Sequence, residues 1–219
     1  MTDYVRARKA MVDNQLRTSS ITDRRLLGAM GEVPREVFVP ESRRSLAYID
    51  EAHELPGPSG RGLAAPAPFA RLVQLAQIGP ADTVLDVGTG SGYSAAVLAQ
   101  LAGKVVALED DAGLAATARD NLRALGVANV EVVEGPLEAG APAHGPFDAI
   151  VVDGAVTAVS QKLFGEPKEG GRLVALIRKG STAVANVYVR SGDEFAARAE
   201  FDSNLPPLTR EAPGEGFVF

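Results

Sequence analysis

Cysteine and tryptophan are absent from these 219 residues, and histidine occurs only at positions 53 and 144. Without thiols there can be neither a disulfide framework nor a thiolate metal site, and two imidazoles are poor material for any other, so no metal is expected. Long apolar runs are missing as well. None approaches bilayer length, and Asp3, Arg6, Arg8 and Lys9 crowd the N-terminus with no apolar stretch behind them, so no membrane association and a cytoplasmic location are expected. Positive charge is also short, at 22 Lys and Arg against 28 Asp and Glu, a net charge of −6. That argues against a surface for neutralising phosphates, and no nucleic-acid partner is expected. The pairs Arg24-Arg25 and Arg43-Arg44 read first as solvated helix faces and second as contacts to an anionic substrate. Both histidines read as surface residues.

What the chain does have is concentrated in Val84-Leu85-Asp86-Val87-Gly88-Thr89-Gly90-Ser91-Gly92-Tyr93. A buried strand runs into a glycine turn, and Ser91 to Ala96 then open a helix whose amides can meet a ligand. A dinucleotide fingerprint would require a third glycine where Tyr93 stands. In doubly wound folds an acidic residue about 20 residues after the turn, at the end of the second strand, takes the ribose hydroxyls. Lys104-Val105-Val106-Ala107-Leu108-Glu109 supplies it, and the two oxygens of Glu109 can accept both hydroxyls of a ribose. Turn and acid together predict a nucleoside site.

Around this site the elements alternate. Strands are expected over 83–87, 104–109, 129–133 and 147–152, with a helix to about 101 and another over 112–125 ended by Gly126. Such alternation gives a parallel sheet with right-handed crossovers. After Gly170-Gly171, strands over 172–177, 183–189 and 194–201 are separated only by turn residues, which forces antiparallel pairing. The first 62 residues follow other rules. Thr22-Asp23 starts a helix that the Val33-Pro34 to Val39-Pro40 segment interrupts, and Glu54 to Gly62 suits a mobile loop over the cofactor. A helix then starts at Pro66 or Pro68. The expected division is a helical cap and loop over 1–62 and one compact α/β unit over 63–219.

The G-x-G-x-G turn behind Asp86 resembles motif I of the class I, Rossmann-like S-adenosylmethionine (AdoMet) methyltransferases. Met11-Val12-Asp13-Asn14-Gln15-Leu16, Ile21-Thr22-Asp23 and above all Val33-Pro34-Arg35-Glu36-Val37-Phe38-Val39-Pro40, similar to V-P-R-x-x-F-V-P, resemble the protein-L-isoaspartate O-methyltransferase family. Ala47-Tyr48, Leu55-Pro56, Gly145 to Ile150 and Glu169-Gly170-Gly171 continue the resemblance across roughly residues 5 to 190. It implies a doubly wound, mostly parallel seven-stranded sheet finished by an antiparallel hairpin. It also implies AdoMet as cofactor and, as substrate, proteins or peptides carrying isoaspartyl residues. Asp86, Gly88, Thr89, Gly90, Gly92, Glu109 and Glu134 are then the cofactor-binding candidates.

Methyl transfer from a sulfonium to a carboxylate needs no general base, so positioning and desolvation should carry the catalysis. Substrate-facing candidates are Ala64, Ala65, Asp153 and Gly154. Three segments depart from the resemblance. Leu63-Ala64-Ala65-Pro66 stands where the family has I-S-x-P, and loss of that serine donor should cost roughly a hundredfold in activity. Glu134-Gly135-Pro136 replaces Gly-Asp-Gly. Val152-Asp153-Gly154-Ala155 replaces an uncharged turn, and Asp153 either repels an anionic acceptor or caps a following helix. A methyltransferase with this or another acceptor and an AdoMet-binding protein without transfer both fit. A nicotinamide oxidoreductase fits poorly because of Tyr93 and the terminal hairpin. Oligomeric state is not legible.

Overall fold

The structure is a computed structural model that describes residues 3–180 and 182–208. Helix α1 (Tyr4–Met11) begins at Asp3, whose side chain accepts the Arg6 amide, and runs into a π turn over Val12–Leu16. Helix α2 (Arg24–Glu32) begins as expected at Asp23, whose Oδ1 accepts the amides of Arg25 at 2.8 Å and Leu26 at 3.2 Å. It stops at Val33 because the residue before Pro34 is forced out of helical geometry. Strands β1 (His53–Glu54) and β2 (Gly62–Leu63) pair antiparallel, closing the base of the loop between them. Helix α3 (Pro66–Ala76) starts on a proline, where the missing amide costs no hydrogen bond.

The main sheet holds β3 (Thr83–Val87), β4 (Lys104–Glu109), β5 (Val130–Glu134), β6 (Phe147–Val156), β7 (Pro167–Lys179), β8 (Thr182–Ser191) and β9 (Glu194–Ser203) in the order β5-β4-β3-β6-β7-β8-β9. Pairs from β5 through β7 are parallel, and β7-β8 and β8-β9 are antiparallel. The expected parallel sheet finished by antiparallel strands is therefore present, with longer late strands. Gly170-Gly171 does not start β7 but lies inside it, in a stretch where its register with β6 shifts between Phe147 and Ala149. Among the described residues no helix is long and apolar enough to cross a membrane.

The two faces of the sheet are unequally covered. Val84, Val105, Ala107, Val151 and Val174 pack on one face with α3, α4 (Tyr93–Ala99) and α5 (Ala112–Ala124). Met11, Leu16, Leu26, Met30 and Phe38 of the N-terminal segment join that same core, each fully buried apolar side chain contributing about 1.5–3 kcal/mol. On the other face, Leu85, Val87, Val106, Ile150 and Leu173 meet Leu137, Leu163 and Leu208. The alternation of strand and helix fails here. Between β5 and β6 the chain makes only 3₁₀ turns at Leu137–Ala139 and Pro142–His144, because Pro136, Pro142 and Pro146 deny a continuous helix its amides.

Candidate functional site

The order reverses between β3 and β6, and open α/β sheets bind ligands at such a point, outside the strands' carboxyl ends. A cavity of about 330 Å³ lies there, lined in part by Val87, Leu137, Val152, Val156 and Leu208. The glycine turn follows directly on Val87, one of these lining residues. Gly88, Gly90 and Gly92 have φ of +86°, +57° and +95°, which side-chain-bearing residues rarely adopt. Gly92 caps α4, so the helix begins at Tyr93 rather than at Ser91. A Cβ on Gly92 would come 3.2 Å from the Ala118 backbone, so this glycine also lets α5 approach the turn.

Glu109, at the end of β4, is fully buried, and its carboxylate organises the turn. Its Oε2 accepts the Gly90 amide at 2.7 Å, and its Oε1 accepts the amides of Asp110 and Asp111, each at 3.1 Å. Burial pushes its pKa up while the nearby Arg61 pulls it back. Thr89 lies in the turn, its Oγ1 3.3 Å from Ser94 Oγ. Ser94 donates to Asp86 Oδ2 at 2.7 Å, and the buried Asp86 Oδ1 has no partner among the described residues. Glu134 pairs in register with Glu109, but its side chain is exposed and lies 3.8 Å from Arg119.

Asp153 lies just beyond Val152, the register partner of Val87, and so beside the glycine turn. It caps no helix, because β6 continues to Val156. Its Oδ1 is buried and has no hydrogen-bond partner among the described residues. Burial and the neighbouring Asp153 push Asp86 up to about 8; burial pushes Asp153 up to about 6, against the pull of Ser94 and of the Arg61 and Arg35 charges. Among the described residues neither of these two buried carboxyl oxygens has a hydrogen-bond donor.

The V-P-R-x-x-F-V-P segment supports both sides of the site. Arg35 is fully buried, donates to the carbonyls of Ala47 at 2.7 Å and Ala64 at 2.6 Å, and lies 4.8 Å from the Tyr93 ring centroid. Phe38 O accepts the Ser91 hydroxyl at 2.7 Å. One short motif thus holds both the glycine turn and the backbone at Ala64. Ala64 and Ala65 are buried, and Ala65 forms the N-cap of α3. Gly154 packs against Leu208, 3.0 Å from where its Cβ would stand.

Two expectations fail. His53 is fully buried, because its strand pairs with β2 beneath the cap, and burial followed by the Arg35 charge lowers its pKa. Arg25 is not merely solvated, since Nη1 donates to Ile78 O at 2.7 Å and Nη2 to Leu101 O. Sequence reasoning also missed Arg61, which is only 4% exposed and donates to Glu109 Oε2 at 2.8 Å and Leu208 O at 2.6 Å. Its signal was a lone cation between two glycines in a loop placed over the cofactor.

The residues fit AdoMet: a strand-end carboxylate for a diol, a turn without side chains, and buried carboxyl oxygens for a cation. The space above the turn is held by side-chain ends, Leu55 over Gly90 and Arg61 with Leu208 over Gly88, which can move aside.

Comparison with known proteins agrees with this arrangement. Residues 6–211 match the family described as protein-L-isoaspartate(D-aspartate) O-methyltransferase (PCMT). A protein-L-isoaspartate O-methyltransferase of Koribacter versatilis is 43% identical over 189 residues, covering 86% of this chain and 83% of that protein. One of Roseiflexus castenholzii is 38% identical over 206 residues, covering 94% and 93%. Among solved structures, a protein-L-isoaspartate O-methyltransferase superposes with a TM-score of 0.79 at 24% identity over 91% of this chain, which spans 65% of that longer protein. A putative one from Plasmodium falciparum, in complex with S-adenosyl-L-homocysteine, gives 0.77 at 22% identity, covering 93% and 99%. These likenesses establish the class I methyltransferase fold, and the sequence matches establish an AdoMet-dependent lineage: the chain belongs to the protein-L-isoaspartate(D-aspartate) O-methyltransferase family.

Proposed function

We propose that this chain transfers the methyl group of AdoMet to the free carboxylate of L-isoaspartyl residues in damaged proteins or peptides, in the cytoplasm. The observation that carries this reading is the extent of the family match, residues 6–211, which includes both the glycine turn and the acceptor-facing segments at 64–65 and 153–154. AdoMet supplies an activated methyl on a sulfonium. Glu109 holds the ribose; Gly88, Thr89, Gly90 and Gly92 admit it closely; Asp86 offers its free oxygen to the cationic amino acid end; and Glu134 lies near the adenine. The acceptor carboxylate is already a nucleophile, so these residues have only to orient it and exclude water. The β1-β2 loop and the Leu205 to Leu208 segment cover the crevice and serve the second purpose.

A second reading, AdoMet binding without transfer, is favoured by Ala64, which offers no hydroxyl to the acceptor. Labelled methyl transfer to an isoaspartyl peptide, counted as base-released methanol beside the ordinary aspartyl peptide, separates them. Turnover on the isoaspartyl peptide alone supports methyl transfer. AdoMet binding with no turnover on either peptide rejects it in favour of the second reading.

A further inference from the structure

Arg61 is a cation sitting against the carboxylate assigned to the ribose diol. Its Nη2 takes Glu109 Oε2 at 2.8 Å, one of the two oxygens a ribose diol requires, and lies 2.6 Å from where a Gly88 Cβ would stand. A nucleoside and this guanidinium cannot share the space. The Arg61 backbone stays fixed, since its carbonyl accepts the Leu55 amide at 2.9 Å and Gly62 pairs with Glu54, so displacement requires only the side chain to swing. A displaced guanidinium that stays buried needs another anion.

The acceptor end supplies one. Arg61 already acts electrostatically on Asp153, whose Oδ1 has no partner among the described residues, and Ala64 offers the acceptor carboxylate no donor. Arg35, the other buried cation nearby, has two of its three nitrogens committed to the carbonyls of Ala47 and Ala64. The charged and titratable groups facing Arg61 are Glu109 and Asp110 from the end of β4 and Asp153 from β6, with Asp86 beside Asp153.

We infer that Arg61 is an exchangeable cation: paired with Glu109 in the ligand-free chain, it is displaced by the ribose and then holds the acceptor carboxylate, so that cofactor binding completes the acceptor site. This rests on the carboxylate acceptor proposed above. The arrangement makes binding ordered, cofactor before peptide.

The test is calorimetry of S-adenosylhomocysteine and of an isoaspartyl peptide on the wild type, Arg61→Ala and Arg61→Gln. Removing the placeholder should tighten S-adenosylhomocysteine about tenfold, as expected when a mostly blocked site is freed. The same variants should weaken binding of the peptide to the S-adenosylhomocysteine complex roughly thirtyfold or more, since a charge pair is lost. A purely structural arginine would weaken both ligands together, and that result overturns the inference. Should the variants not fold, the wild type still decides: the peptide should bind at least about tenfold tighter with S-adenosylhomocysteine present, and equal affinity overturns the exchange. Absence of methyl transfer by the wild type would defeat the acceptor assignment, whereas an S-adenosylhomocysteine affinity unchanged in Arg61→Ala would defeat the exchange itself.

Discussion

Replacing Arg35 with methionine should destabilise the ligand-free protein by about 3 kcal/mol. Methionine keeps the unbranched stem that fills the space beside Tyr93 but donates nothing. The carbonyls of Ala47 and Ala64, bonded at 2.7 and 2.6 Å, then lose a charged donor, about 1–3 kcal/mol each where no water replaces it. Contact of the guanidinium with the Tyr93 ring, at 4.8 Å, adds about 1–2 kcal/mol. Against these losses stands relief of a buried charge that no carboxylate among the described residues pairs directly, a cost that already lowers the Arg35 pKa. The net loss should lower the melting temperature by about 6–12 °C in a chain of this size. Urea unfolding followed by circular dichroism measures it, with thermal melts as a second probe. A loss below about 1 kcal/mol would refute the reasoning and make Arg35 a replaceable filler.

Ala64→Ser restores a hydroxyl beside the acceptor and should raise kcat/KM for an isoaspartyl peptide by about tenfold or more, measured as released methanol; no change would mean that other donors suffice. Gly90→Val puts a branched residue at φ +57° with its Cβ 2.8 Å from Leu55, so calorimetry should find AdoMet binding lost while the sheet's circular dichroism persists. Retained affinity sinks that expectation. The Asp86 pKa is raised by burial from 3.8 to about 8, so the folded chain holds a proton the unfolded chain gives up, and stability present at low pH is lost as pH rises across that interval. The wild-type urea midpoint should therefore fall from pH 5 to pH 8 relative to Asp86→Asn, and parallel curves would contradict it.

The glycine turn, the acidic end of β4 and the passage from parallel to antiparallel strands were legible because each rests on local chemistry. Positive φ demands glycine, a parallel strand reads as an apolar run, and only turn residues separate antiparallel neighbours. The late strands were underestimated because Gly170-Gly171, which looks like a break, is absorbed in an irregular stretch of β7. Between β5 and β6, where no helix was placed from the sequence, the prolines leave only 3₁₀ turns. His53 and Arg61 were misjudged or missed for a different reason. A polar residue's burial depends on what folds over it, and here that cover is the cap, the β1-β2 loop and Leu208, segments distant in sequence. The electrostatic partnership of Asp86 and Asp153 likewise exists only once β3 and β6 lie side by side.

The unequal covering of the sheet also bears on how the molecule opens. On the face of Leu85, Val87 and Ile150, short 3₁₀ turns at Leu137–Ala139 and Leu163–Gly165 stand where long helices stand on the other. Such turns bury little apolar area and hold few hydrogen bonds of their own, so their opening free energy lies below that of global unfolding. Amide exchange and proteolysis should enter the protein from this side first, while the strands packed under α3, α4 and α5 exchange only when the whole chain unfolds.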